Sequence, residues 1–389
     1  MTPEGNPPAT YAEDRPKLSS RDYDVVHDRL ESWLAEQIGP GSKPTVSALQ
    51  IPERNGMSSE TVMFDVTHDA GGTSVTRSCV ARIAPEPSAV PVFPAYDLEL
   101  QFRIMQIVGE SSEVPVPPTL WFEHSGDVVG TPFFVMERVD GVVPPDVLPY
   151  NFGDSWLYDA SREDQARLQR NAVGILAGIH AIDRPADELA FLQLDRPGDT
   201  ALTRHVADLR AYYDWVAADL PSPLLERAFT WLRDHWPDQE GPSAISWGDS
   251  RIGNVLWHDF APTAVLDWEM ASIAPREVDL AWLIFIHQFF EDIAIKMGLD
   301  GMPHFLRLDD VAATYTEMTG YEPIDLEWFI AYSAVRHGVV MRRVTERSVA
   351  FGEAEMPDDP DDLILHRGLI EAILDDRYDF VAGRVSDPG

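Results

Sequence analysis

Two hydrophobic periods divide the chain. Val25, Val26, Leu30, Trp33, Leu34 and Ile38 recur every three to four positions, which predicts one amphipathic helix running from a cap at Ser19 or Ser20 to a stop at Gly39-Pro40. The period then drops to two, and strands are expected at Thr45 to Ile51, Thr61 to His68 and Thr73 to Ile83, the last following the Gly71-Gly72 turn. A helix over Tyr96 to Val108 and two strands, Thr119 to Glu123 and Thr131 to Arg138, complete this part. From there the spacing is mainly helical, over about 163–182, 199–219, 222–236, 276–293, 308–318, 325–345 and 361–382. Strands first and helices afterwards predict an α+β fold of two lobes. Its units are an arm at 1–18, expected to be mobile, a strand-rich lobe at 19–138 and a helical lobe at 139–389. No repeat of 20 to 50 residues is evident.

Composition narrows the class of partner. The 389 residues carry 65 acidic and 30 basic side chains, a formal net charge of −35. That opposes nucleic acid and anionic membrane as partners and suits a cationic small molecule. The run Leu280 to Ile286 is too short to span a bilayer. A single cysteine, Cys79, excludes an internal disulfide framework and a Cys-rich metal site. A soluble cytoplasmic protein, monomer or homodimer, is the expectation.

The helical half is interrupted at Ser246 to Ala271, where the polar residues carry chemistry. Asp249 is followed five residues on by Asn254, and Asp267 ends the apolar run Ala264-Val265-Leu266. That spacing suits phosphoryl transfer: a carboxylate orients and deprotonates a hydroxyl, while an amide oxygen and a second carboxylate hold Mg²⁺ against ATP. Val255-Leu256-Trp257 and Thr263 to Leu266 read as a hairpin around Asp259 to Pro262. If Asp259 and Pro262 flank a two-residue turn, Asn254 faces Asp267, about 5 Å away.

Such a site needs a cation for the nucleotide phosphates. Only three lysines exist, Lys17, Lys43 and Lys296, so Arg82 of Val80-Ala81-Arg82 is the candidate, with Glu99 as its helix-borne partner. Ser58 and Ser59, in the loop Asn55-Gly56-Met57-Ser58-Ser59, suit phosphate contacts. The run Pro132 to Gly141 passes from apolar to polar, as expected beside an adenine. Met136 would line that slot, with backbone groups of Glu137 to Val139 bonding the base. Trp268 and Glu269, next to Asp267, are candidate acceptor contacts. So are Glu353 and Glu355 in the acidic loop that also holds Asp358 and Asp359.

These residues resemble the aminoglycoside phosphotransferase and choline kinase superfamily. Trp247-Gly248-Asp249 to Asn254 is similar to its H-G-D-x-x-x-x-N motif, and Asp267-Trp268-Glu269 to its metal-binding D-W-E form. Pro275 to Ala281 is similar to its G-x-P-x-x-D-L-A segment, and Leu176 to His180 to its L-A-x-L-H helix. The motif forms look like those of a mycobacterial member and of the kinase-like domain of acyl-CoA dehydrogenase relatives, from about Ser47 to the end. The resemblance implies a protein-kinase-like fold, with a small antiparallel sheet and one main helix in the first lobe. It also implies ATP- and Mg²⁺-dependent phosphorylation of a small-molecule hydroxyl, with an aminoglycoside as one acceptor. A hydroxyacyl-CoA is the rival acceptor, and Arg342, Arg343 and Arg347 rimming a basic pocket would favour it. A nucleotide-binding pseudokinase is the rival from another class. Asp279 is expected to brace the catalytic loop and His180 to be structural. Two departures stand out: Trp247 replaces the usual histidine, and Arg82 the usual lysine.

Overall fold

The computed structural model describes residues 21–52, 59–86, 90–146 and 149–385. The arm at 1–18, the caps at Ser19 and Ser20, and Ser58 lie outside the described residues. Helix α1 (Tyr23–Ile38) is capped instead by Asp22, whose side chain accepts from the N–H groups of Asp24 and Val25. Its Val26, Leu30, Trp33 and Leu34 share one buried face, as the 3.6 period requires.

That face covers one side of a five-stranded antiparallel sheet in the order β1-β2-β3-β5-β4. The strands are β1 (Thr45–Val46), β2 (Glu60–Asp69), β3 (Ser74–Ile83), β4 (Thr119–Glu123) and β5 (Phe133–Glu137). Alternation sorts the side chains. Val62, Phe64, Val66, Cys79, Ala81 and Ile83 join α1 in one core. Val80, Phe134 and Met136 face the other way, into the core shared with α2 (Leu98–Ser111) and the helical lobe. Arg82, two residues from Val80 and paired with Phe134 across the β3–β5 ladder, is on that second face. The sheet therefore presents Arg82 and Met136 to the cleft.

The second lobe holds α3 (Arg162–His180), α4 (Ala201–Val216), α5 (Pro223–Asp234), α6 (Arg276–Lys296), α7 (Leu308–Thr319), α8 (Leu326–Ala350) and α9 (Arg367–Leu374). Helix α6 is apolar nearly all round and runs through the middle of the lobe, with Leu280, Ile284 and Phe285 fully buried. Two short ribbons carry the chemistry-bearing loops: β6 (Ser243–Ser246) with β9 (Ser272–Pro275), and β7 (Val255–His258) with β8 (Ala261–Val265). A last hairpin joins β10 (Tyr378–Asp379) to β11 (Arg384–Val385). No described helix is long and apolar enough to cross a membrane.

Two expectations need correction. Residues 361–382 are not one helix. A 3₁₀ turn at Pro360–Leu363 comes first, because the buried Asp361 carboxylate accepts from the Ser222 hydroxyl and the Leu224 N–H. Helix α9 follows and stops at Asp375-Asp376, where Asp376 takes φ +53°. The two-residue hairpin turn also lies one residue earlier than expected, at Asp259-Phe260. Asp259 and Phe260 both have positive φ, as a type I′ turn demands, so His258 pairs with Ala261. A bulge between Leu256 and Trp257 then shifts the ladder by one, and the Leu266 N–H donates to the Asn254 carbonyl at 2.8 Å. Asn254 thus faces Leu266, and Asp267 lies one residue beyond it.

Candidate active site

The loop between β6 and β7 is built around a bend at Gly248. Its φ is +90°, and a Cβ there would sit 2.1 Å from the Met270 carbonyl oxygen, so only glycine fits. Asp279, in the first turn of α6, anchors the bend. Its fully buried carboxylate accepts from the N–H groups of Trp247 (2.8 Å) and Gly248 (2.9 Å), the Ser246 hydroxyl (2.8 Å) and His180 Nε2 (3.1 Å). Burial pushes its pKa up, but these donors, led by His180, hold it below the usual carboxylate range. His180 is itself oriented by the Tyr315 hydroxyl at 2.8 Å. Trp247 bonds where a histidine is usual: its indole N–H donates to the Leu266 carbonyl at 2.9 Å and ties the loop to the residue before Asp267.

Asp249 leaves this bend with both oxygens engaged. Oδ1 accepts from Trp282 Nε1 at 2.7 Å, and Oδ2 accepts from Asn254 Nδ2 at 2.6 Å and Arg251 Nε at 3.1 Å. Asn254 Nδ2 also donates to the Asp249 carbonyl at 3.1 Å. Both partners are acceptors only, so the amide nitrogen must face Asp249 and the amide oxygen turns the other way. Arg251 bridges Asp249 to Asp146, and these two carboxylates raise its pKa against the opposing effect of burial.

Asp267, with φ +60°, turns its carboxylate toward the sheet, where Arg82 Nη2 lies 3.4 Å from Oδ1. Arg82 Nη1 donates to Thr61 Oγ1 at 3.0 Å. Burial pushes the Asp267 pKa up, Arg82 pulls it down and Asp249 pushes it up again. A carboxylate in that setting is stabilised by a further cation. The donor set fits Mg²⁺, a hard ion that takes one or two protein oxygens and completes its shell with phosphate and water. Among the described residues no group of three or more His, Cys, Asp or Glu forms a metal site.

The other expected contacts divide. Ser59 is buried, and its Oγ has no hydrogen-bond partner among the described residues. Met136 lines the inner sheet face. Glu137 and Arg138 cannot donate to a base through their N–H groups, which already bond the carbonyls of Pro118 (2.9 Å) and Ser78 (2.8 Å). Val139 follows these two, and its N–H donates to no backbone carbonyl among the described residues.

Glu99 does not pair with Arg82. It is exposed on α2, 3.6 Å from His124, because the inward stripe of that helix is Leu98, Gln101, Ile104, Met105 and Val108. Gln101, about 200° further round, is buried with Nε2 unpartnered among the described residues. That stripe is legible in the helical spacing.

Trp268 is no acceptor contact. It is 1% exposed, packs on Trp247 and donates its indole N–H to Val265. Glu269 is half-buried, and its charge adds to the burial that raises the pKa values of Tyr96 and Tyr212. Arg342 rims nothing: it is fully buried on the Leu220 carbonyl and Glu346. Arg343 lies over Trp215 and donates to the Pro91 carbonyl. Glu353 and Glu355 are exposed, but Asp359 is held by Arg367 at 2.7 Å.

Two lobes facing a cleft, with an Asp-x₄-Asn loop on one side and a strand arginine on the other, define a kinase-like fold. Residues 56–303 match the Phosphotransferase enzyme family (APH), and the chain belongs to it. Curated relatives include acyl-CoA dehydrogenase family member 10 of Mus musculus, 27% identical over 84% of this chain, and human family member 11, 28% identical over 69%. The chain spans only 29% and 33% of those proteins. Among solved structures, a Ralstonia eutropha protein assigned as an aminoglycoside phosphotransferase aligns with TM-score 0.62 at 20% identity, covering 92% of this chain and 97% of that one. A thermostable mutant of aminoglycoside phosphotransferase APH(4)-Ia, crystallised with AMP-PNP and hygromycin B, aligns with TM-score 0.52 at 18% identity, covering 89% and 98%. These likenesses establish the fold.

Proposed function

We propose that the chain is an ATP- and Mg²⁺-dependent phosphotransferase acting on a hydroxyl of a small molecule. The observation that carries this reading is the convergence of Asp249, Asn254, Asp267 and Arg82 on one cleft. Asp249 aligns the acceptor hydroxyl and takes its proton as the new O–P bond forms and the bond to the ADP leaving group breaks. Asn254 and Asp267 would hold Mg²⁺, which supplies charge neutralisation on the phosphates. Arg82 is placed to leave Asp267 for the phosphate oxygens, a bidentate match for guanidinium. The Val139 N–H is the hinge donor for the base. The APH(4)-Ia neighbour was crystallised with an ATP analogue, in keeping with that assignment.

For the acceptor, the net charge of −35 and the exposed Glu353 and Glu355 support an aminoglycoside-like polycation, such as the hygromycin B bound by that neighbour. A hydroxyacyl-CoA is the second reading. It is favoured by the acyl-CoA dehydrogenase names of the relatives and by the positive charge of Arg347 beside Tyr96. The test is ADP release over a panel of both acceptor classes. Turnover should require Mg²⁺ and vanish in Asp267→Ala. Nucleotide binding without Mg²⁺-dependent turnover on any acceptor would turn the reading to a pseudokinase.

A further inference from the structure

We infer that Trp282 is a positioning residue for Asp249, fixing the carboxylate plane through its indole N–H. The inference rests on the reading of Asp249 as the base. Trp282 follows Asp279 by three residues on α6, so both side chains leave the same helix face. One turn of helix therefore holds the loop twice. Asp279 takes the backbone N–H groups of Trp247 and Gly248, and Trp282 donates to Asp249 Oδ1 at 2.7 Å. On the opposite oxygen, Asn254 and Arg251 donate to Oδ2. Donors from two directions stop the carboxylate rotating about its terminal torsion, which is otherwise broad.

The indole suits this task because it is a neutral donor with no acceptor atom. It neither competes for the hydroxyl proton nor binds the metal, and it leaves the local charge unchanged. Its own position is fixed from α8. The Arg336 guanidinium lies 4.7 Å over the ring and donates through Nη1 to the Gly248 carbonyl at 3.0 Å. Arg336 thus grips the indole and the residue before Asp249 together. The His337 ring closes the site at 5.9 Å. A purely packing role would ask only that the buried N–H find some acceptor; here the acceptor is the carboxylate whose orientation the reaction needs.

The test is steady-state ADP release with an accepted alcohol. Trp282→Phe should lower kcat roughly ten- to hundred-fold, with the ATP KM within about twofold of wild type. If this variant does not fold, Trp282→benzothienylalanine, which replaces the N–H by sulfur in the same outline, decides the matter. Arg336→Met should give a smaller loss of the same kind. Unchanged kcat in a folded variant overturns the inference and leaves the kinase reading standing. So does a fall that tracks loss of folded protein or of ATP affinity, which would make Trp282 a packing residue. A wild-type protein that turns over no alcohol overturns the kinase reading, and this inference with it.

Discussion

The two sides of the cleft are built to different standards. On the helical side the base and its brace are tightly bonded: the Asp279 carboxylate accepts four hydrogen bonds and that of Asp249 three. On the sheet side Arg82 holds Asp267 at only 3.4 Å, and buried Ser59 Oγ and Gln101 Nε2 have no partners among the described residues. The difference separates two tasks. A base must be fixed before substrate arrives, since misplacement is lost directly from the rate. A phosphate grip can be completed by the ligand, whose oxygens then satisfy waiting donors.

The largest effects should separate the two sides. Asp249→Ala is expected to lower kcat by roughly a hundred- to ten-thousand-fold while nucleotide still binds. Arg82→Ala is expected to leave folding and most of kcat in place and to raise the nucleotide KM, by about 1.5–3 kcal/mol of lost charge-assisted bonding. Thermal melts with and without Mg-ATP, run beside the kinetics, check both. Full turnover in the Asp249 variant would remove the base from its role. Equal nucleotide affinity in the Arg82 variant would place the phosphate cation elsewhere.

A middle-sized effect concerns the rigidity of the helical lobe. Burial pushes the pKa of His205 down to about 3, and those of His287 and His366 to about 4. At His287 burial outweighs the Met302 carbonyl, which accepts at 3.1 Å from Nε2 and pulls the pKa back up. The unfolded chain binds these protons near pH 6.5 and the folded chain does not. Their contribution is therefore fully present above about 6.5 and is lost as pH falls toward 4. The raised carboxylates Glu277 and Glu291 oppose the trend, because there the folded state holds the proton. The melting temperature should drop between pH 6.5 and 4.5, with a shallower slope in His366→Asn. A slope unchanged by that substitution would take His366 out of the account.

How much of this was legible follows the same division. The D-x₄-N spacing, the place of Asp267 after its apolar run, the bracing contacts of Asp279 and the strand position of Arg82 all stand in short contiguous motifs. The strand-then-helix order gave two lobes for the same reason. What escaped depends on contacts distant in sequence or on phase. Trp282 reaches Asp249 across 33 residues. Trp268 looked like a site residue by adjacency, yet the turn at Asp267 sends the next side chain into the core. Glu99 had the right charge on the wrong side of α2. The β6–β9 pair, four residues each, is too short to carry a readable period.

The smallest effect bears on the acceptor. Of the acidic loop after α8, Asp359 is occupied by Arg367, and Asp361 is buried as a cap for Ser222 and Leu224. Glu353, Glu355 and Asp358 are left as exposed carboxylates. Glu353 also acts on Arg347, whose pKa burial lowers while Tyr96 and Glu353 raise it. Neutralising Glu353 and Glu355 together should therefore have opposite consequences for the two acceptor classes. A polycation would lose no more than about 1 kcal/mol per exposed pair, seen as a raised acceptor KM with the ATP KM unchanged. A hydroxyacyl-CoA, itself anionic, would gain as repulsion falls and Arg347 is freed toward it. Either change should shrink as salt rises, because the Debye length is about 10 Å at 0.1 M. An acceptor KM unmoved at low salt would place the acceptor away from this loop and return the question to the Tyr96, Glu269 and Arg343 side of the cleft.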